Sequence, residues 1–232
     1  MNNQQTAKHV LMVLTSHSKL GNTDEKTGFW VEEFAAPYYA FVDAGFKVTI
    51  VSPEGGHPPI DPKSEMEDFQ TPATKRYDDD KVVQNLIANT GKLIDVDSAD
   101  FDAVFYPGGH GPLWDLTDNQ LSISLIESFL GANKPVAAVC HATAAFLNIK
   151  DPSGEYFVKD KAVTGFTNSE EDGVELSDIV PFLLEDELIK RGAKYQKVAD
   201  WNAFAIQDGL LVTGQNPASS ELAAKKLIAA LA

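Results

Sequence analysis

Pro135-Val-Ala-Ala-Val-Cys-His-Ala142 is an apolar run over 136–139 that ends in a cysteine and a histidine side by side, then continues in small residues, Ala142, Thr143 and Ala144. A run this short and this sharply bounded reads as a buried strand that delivers a nucleophile to a tight turn before a helix. A helix N-terminus and an adjacent imidazole both favour a thiolate, so the pattern predicts a lowered pKa for Cys140. The same residue also reads as a small buried hydrophobe, the ordinary fate of an unpaired cysteine at a strand end. The segments on either side decide between the two.

Upstream, His9-Val-Leu-Met-Val-Leu-Thr-Ser16 is another continuous apolar run, as expected of a parallel strand covered on both faces. The spacing predicts a helix over 28–44, stopped by Gly45, with Glu32 and Glu33 near its N-terminal end where the dipole favours negative charge. A strand over 46–51 follows. Residues 53–78 are rich in proline, glycine and acids and carry no period, so they read as an excursion. It extends to about 96 through a helix at 79–89 and a short strand at 92–96. The sheet resumes at 102–106 and breaks at Pro107-Gly-Gly-His-Gly-Pro112, and helices over 119–132 and 143–149 flank the cysteine strand. Asp151-Pro-Ser-Gly-Glu155 predicts a hairpin over about 151–166, whose second arm is a strand at 162–166. A helix at 179–191, a strand at 208–214 and a helix at 217–231 complete the chain. This alternation, with no repeat and no linker, predicts one α/β domain over 1–232, a single doubly wound, mostly parallel sheet with helices on both faces.

Composition narrows the function. With 232 residues, 44% of them hydrophobic, the chain can bury a sizeable core. One cysteine excludes an internal disulfide and suits a reducing compartment. The polar start and the short apolar run at 10–14 predict neither a signal peptide nor a membrane span, so a cytoplasmic protein is expected. A net charge of −15 disfavours nucleic acid and anionic membrane as partners. The five histidines show no paired-ligand spacing, so neither a metal nor another cofactor is predicted.

In open α/β sheets, sites form at the carboxyl ends of strands. Here these are Ser16, 107–111, 140–141, 165–171 and 214–216, most of them rich in glycine or polar residues. The loop at 107–112 fails the dinucleotide template, because Trp114 stands where the last glycine belongs. Glycine N–H groups beside a nucleophile suit an oxyanion better. Of Glu32 and Glu33, one must turn inward; beside a thiol it can share a proton or act as general acid and base, and facing water it is only a solvated helix face. In Ser169-Glu-Glu-Asp172, one carboxylate can orient His141, or the run is simply exposed.

The chain resembles the DJ-1/PfpI superfamily, also described as class I glutamine amidotransferase-like, and within it the Hsp31-like branch of glutathione-independent glyoxalases and stress chaperones. The motifs that carry the resemblance are Lys26-Thr-Gly-Phe-Trp-Val-Glu-Glu33, Gly108-Gly-His-Gly111, Ala137-Ala-Val-Cys-His141, Val163-Thr-Gly-Phe-Thr-Asn168 and Leu211-Val-Thr-Gly-Gln-Asn-Pro-Ala-Ser219. It implies a flavodoxin-like fold with a nucleophile elbow. Cys140 matches the family nucleophile, His141 its partner and Glu33 the helical glutamate beside the sulfur. Glu171, or Glu170 if the loop is gapped, completes a triad, and Gly108 and Gly109 with the His141 backbone form the oxyanion and substrate site. Ala142-Thr143 departs from the Gly-Pro pair common in relatives. Because members differ in chemistry, the resemblance implies three functions. These are conversion of methylglyoxal or glyoxal to a 2-hydroxy acid such as lactate, a holdase that binds unfolded clients through 53–78, Trp114 and Trp201, and a cysteine-dependent peptidase or deglycase. It also implies a small aldehyde substrate and a homodimer.

Overall fold

The computed structural model describes residues 7–232, and the polar start read above lies mostly outside them. Nine strands are present among the described residues: β1 His9–Val13, β2 Lys47–Ser52, β3 Gly91–Lys92, β4 Ala103–Tyr106, β5 Val136–Val139, β6 Ala162–Val163, β7 Lys194–Tyr195, β8 Ala205–Asp208 and β9 Leu211–Gly214. Seven form one sheet in the order β3-β2-β1-β4-β5-β9-β8. All its pairings are parallel except β8 with β9. The helices are α1 Val31–Asp43, α2 Pro72–Asp79, α3 Lys81–Ala88, α4 Pro112–Asp115, α5 Gln120–Gly131, α6 Asn168–Gly173, α7 Leu184–Lys190 and α8 Ser220–Ala230. α1 packs on α8 and β2, α8 on β5, β8 and β9, and α5 on β4 and β5, so helices flank the sheet. β4, β5 and β9 are buried at every residue, and this double coverage explains why they read as unbroken apolar runs. Among the described residues, no helix is long and apolar enough to cross a membrane.

The structure departs from the sequence expectations where local signals compete. The excursion holds two 3₁₀ turns and α2, whose first turn is closed by a reciprocal cap between Thr71 and Thr74. Asp80 separates α2 from α3 and caps the latter through Oδ1, so the helix expected at 79–89 is α3, which starts only at Lys81. The strand expected at 92–96 pairs only at Gly91–Lys92 and then tightens into a 3₁₀ turn. The turn at 151–155 is closed by a Lys150–Tyr156 bridge, but β6 does not fold back on it as a hairpin arm; it pairs in parallel with β7 in a separate two-stranded sheet. The helix expected from 179 begins only at Leu184, after Pro181, which disfavours helical backbone in the residue before it. β8, unread in the sequence, reaches β9 through a two-residue loop headed by Gly209 at φ +60°.

One buried acid ties the end of this sheet together. Glu170, on α6, is fully buried and accepts at Oε1 from Trp201 N–H (2.9 Å), Gln215 Nε2 (3.1 Å) and Asn216 Nδ2 (2.7 Å). Its Oε2 accepts from Thr167 N–H at 3.1 Å. Three separate loops thus converge on one carboxyl group. Glu170→Ala removes one acceptor from four donors, leaving the buried Gln215 and Asn216 amides only their bonds to Val198 O and Asn202 O, and is expected to cost about 3 kcal/mol. In urea titrations this appears as a fall in the midpoint with the slope unchanged, and Glu170→Gln should cost less.

Candidate active site

β5 ends at Val139 in extended backbone, and Cys140 then turns to φ +59°, the left-handed region that non-glycine residues rarely enter. Such a residue costs on the order of 1–3 kcal/mol and persists only where its surroundings over-determine it. The chain continues as a 3₁₀ helix over Cys140–Phe146, a tighter coil than the α-helix expected at 143–149. Close approach of the loop after β4 enforces the elbow. A Cβ on Gly108 would lie 2.5 Å from Glu33 Oε2 and 2.6 Å from the Val139 carbonyl oxygen. Gly109, at φ +98°, likewise has no room, since a Cβ there would meet Gly28 O at 2.4 Å.

Three side chains then form a line. Cys140 Sγ lies 3.3 Å from His141 Nδ1, and His141 Nε2 lies 2.7 Å from Glu171 Oε2. The other oxygen of Glu171 lies 2.8 Å from His110 Nε2. Because one carboxylate accepts from both rings, each Nε2 carries the proton, and His141 Nδ1 is left as acceptor for the thiol. Burial opposes the charge of Glu171, but attraction to His141 and the bonds from His110 and His141 outweigh it and hold this carboxyl well below its usual range. Burial, and next the neighbouring His110, push His141 down to about 4 against the pull of Glu171, so the ring is neutral at pH 7.

Glu33 approaches from the opposite side, from the first turn of α1. It is fully buried, its Oε2 accepts from Gly108 N–H at 3.0 Å, and its carboxyl contacts the Cys140 thiol. Oε1 has no nitrogen or oxygen partner. Burial, with the charges of Glu32 and Asp61 behind it, raises the Glu33 pKa well above the usual range despite the bonds from Cys140 and Gly108. The expected lowering of the Cys140 pKa is reversed. Burial first, then the nearby carboxyls of Glu33 and Glu170, push the thiol up, and the His141 N–H only partly offsets them. The resting site therefore holds a neutral thiol with its proton acceptor already in place.

Cys140, His141, Glu33, Glu171, Gly108 and Gly109 come together from the turn after β5, the loop after β4 and the helices α1 and α6. Glu170 points away, into the network described above. His110 is the residue that sequence reasoning passed over, although it stands in a glycine loop at a strand end. Its ring lies 3.9 Å from that of His141, and Phe166 covers His141 from 4.2 Å. Donor atoms of His110, His141 and Glu171 lie within 4.8 Å of one another, a two-histidine, one-carboxylate set of a kind that can hold a divalent metal. No spacing motif reports it, because the donors come from separate segments of the chain, and a metal there would displace both histidine–carboxylate bonds.

Around the thiol opens a cleft of about 410 Å³, walled mainly by Trp30, Phe69, Phe166, Trp201, Val174 and Leu176. Asp61, Lys63 and Phe69 bring the excursion to its rim, so that segment caps the site. Trp114 instead stacks on His17.

A strained cysteine elbow with a His–Glu pair, at the carboxyl edge of a parallel sheet, defines the class of α/β proteins built around a cysteine nucleophile. Residues 26–230 match the DJ-1/PfpI family, and the chain belongs to it. It is similar to glyoxalase 3 of Candida albicans, at 33% identity over 95% of this chain and 97% of that protein. The glutathione-independent glyoxalase HSP31 of Saccharomyces cerevisiae is also 33% identical, over 97% and 98% of the two chains. Among solved structures, the Rapid Encystment Protein of 24 kDa from Francisella tularensis superposes with a TM-score of 0.93 at 40% identity, covering 97% of this chain and 99% of that one.

The protonation pattern carries a stability signature. His141 ionises near 6.5 when unfolded and near 4 when folded, so between these values the unfolded chain binds the extra proton and stability falls as pH falls. Glu33 has the opposite sign: its raised pKa contributes stability below about 4.5 that is lost as pH rises through the folded value. Urea midpoints measured from pH 4 to 8 should show a shallower decline on the acid side in His141→Asn than in the parent. Glu33→Gln should instead flatten the decline towards higher pH.

Proposed function

We propose that this chain is a glutathione-independent glyoxalase, converting methylglyoxal or glyoxal and water into a 2-hydroxy acid. The observation that carries the reading is the thiol of Cys140 set between a neutral imidazole acceptor and the Glu33 carboxyl, at the base of a cleft with mainly apolar walls. That arrangement suits addition to a carbonyl followed by proton transfer between adjacent carbons. Family membership and the two glyoxalase relatives support the same chemistry.

His141 Nδ1 takes the thiol proton as Sγ attacks the aldehyde carbon, then passes it to the new oxygen, giving a neutral hemithioacetal. Backbone N–H groups of Gly109 and His141 hold that oxygen while it carries charge. His141 next removes the hydrogen from the former aldehyde carbon, while the Glu33 carboxyl donates its proton to the neighbouring carbonyl oxygen, giving an enediol. The imidazolium returns its proton to the second carbon, Glu33 recovers one from the first hydroxyl, and a thioester of the 2-hydroxy acid remains. Water, activated by His141, cleaves the thioester, releasing the acid and regenerating the thiol. Glutathione has no part, because the protein supplies the sulfur. Glu171 stays ionised throughout and stabilises the imidazolium each time it forms.

The parent protein is expected to make lactate from methylglyoxal without glutathione. Cys140→Ser should reduce this to the buffer background, and Glu33→Gln should lower kcat by about 10²–10⁴-fold. A Cys140→Ser protein that forms lactate at the parent rate overturns the proposal.

A further inference from the structure

Methylglyoxal carries only a methyl group on its dicarbonyl, yet the cleft above the thiol measures about 410 Å³. A cavity of roughly 150 Å³ already accommodates benzene. The walls are aromatic on two sides. On one, Phe166 lies against His141 at 4.2 Å and Trp201 stands edge-on to Phe166 at 5.8 Å, so aromatic surface runs outward from the reacting centre. On the other, Trp30 meets Phe69 edge-on at 5.0 Å. Both tryptophans are fixed through their backbones: Trp30 N–H donates to Gly108 O, in the loop beside the thiol, at 3.0 Å, and Trp201 N–H to the buried Glu170 Oε1 at 2.9 Å.

Trp201 holds this place at a cost. It sits at φ +65°, in a conformation unfavourable for a bulky side chain, and half of its surface faces solvent. Among the described residues it is the one aromatic residue in left-handed backbone. Core packing does not require an indole there, whereas an apolar ring entering the cleft would gain contact with it.

We infer that the preferred substrates are aryl 2-oxoaldehydes, with the ring held between the Trp201–Phe166 and Trp30–Phe69 walls and the aldehyde carbon directed at Cys140 Sγ. The inference rests on the glyoxalase reading and deepens it. The bond changes are those given above: the thiol adds to the aldehyde carbon, one hydrogen moves from that carbon to its neighbour, and water releases an aryl 2-hydroxy acid and the free thiol. No oxidant or reductant enters.

The probe is phenylglyoxal, compared with methylglyoxal in steady-state assays without glutathione that follow mandelate and lactate, with Cys140→Ser as the blank. The parent should show a kcat/KM for phenylglyoxal about tenfold or more above that for methylglyoxal. Trp201→Ala and Trp30→Ala should each lower this ratio about threefold to tenfold, and Trp201→Phe should largely restore it. Trp201→Ala removes a strained, half-exposed side chain, and matching thermal melts would exclude misfolding as the cause. A ratio of one or less in a protein that turns over methylglyoxal overturns the inference and leaves the glyoxalase reading standing. So does a ratio unmoved by either tryptophan substitution. Absence of Cys140-dependent turnover of both aldehydes overturns the two together.

Discussion

The hydrogen bond from His141 Nε2 to Glu171 Oε2, 2.7 Å long and shielded from water, decides which nitrogen of the ring faces Cys140. With Nε2 committed as donor, Nδ1 is an acceptor 3.3 Å from the sulfur, and the thiol proton has one place to go. His110 reinforces this by occupying the second oxygen of Glu171, which keeps the carboxylate from turning away. Burial supplies the rest. It pushes the Cys140 thiol and the Glu33 carboxyl up and His141 down, so each is biased towards its uncharged form.

Two adjacent pairs of acids are each divided between structure and site. Successive residues on a helix point about 100° apart, so Glu32 and Glu33 cannot both face inward. Glu32 is bonded to Thr71 Oγ1 at the start of α2 and anchors the excursion that caps the cleft, while Glu33 reaches the thiol. Glu170 and Glu171 repeat the division on α6, the first gathering loops and the second bonding both histidines. The acid that meets the thiol and the acid that meets the histidines are therefore each positioned by a neighbour whose own bonds lock the backbone. Each anchoring acid also acts on the site through charge, Glu32 raising Glu33 and Glu170 raising Cys140.

Much of the architecture was legible in the sequence. Runs such as Val136–Val139 and Ala103–Tyr106 must be buried on both faces, and only a parallel sheet between helices accommodates several of them. Cys140 at the end of one such run, beside His141, marked the elbow. Less legible were the elements whose stability comes from capping or from distant partners. α2 has few apolar residues and depends on Thr71 and Thr74, and the two-residue β6 exists because β7 lies beside it.

By itself the sequence determined the layered α/β fold, the position of the nucleophile and a short set of acids that could serve it, because periodicity and turn chemistry are local properties. Tertiary structure alone decided that Glu171 and not Glu170 meets His141, that His110 joins them, and that the resting thiol is neutral where a helix start and an imidazole had suggested a thiolate. These outcomes depend on which distant loops converge on one point and on how completely they exclude water. Desolvation is a property of that assembly, and no stretch of chain carries it alone.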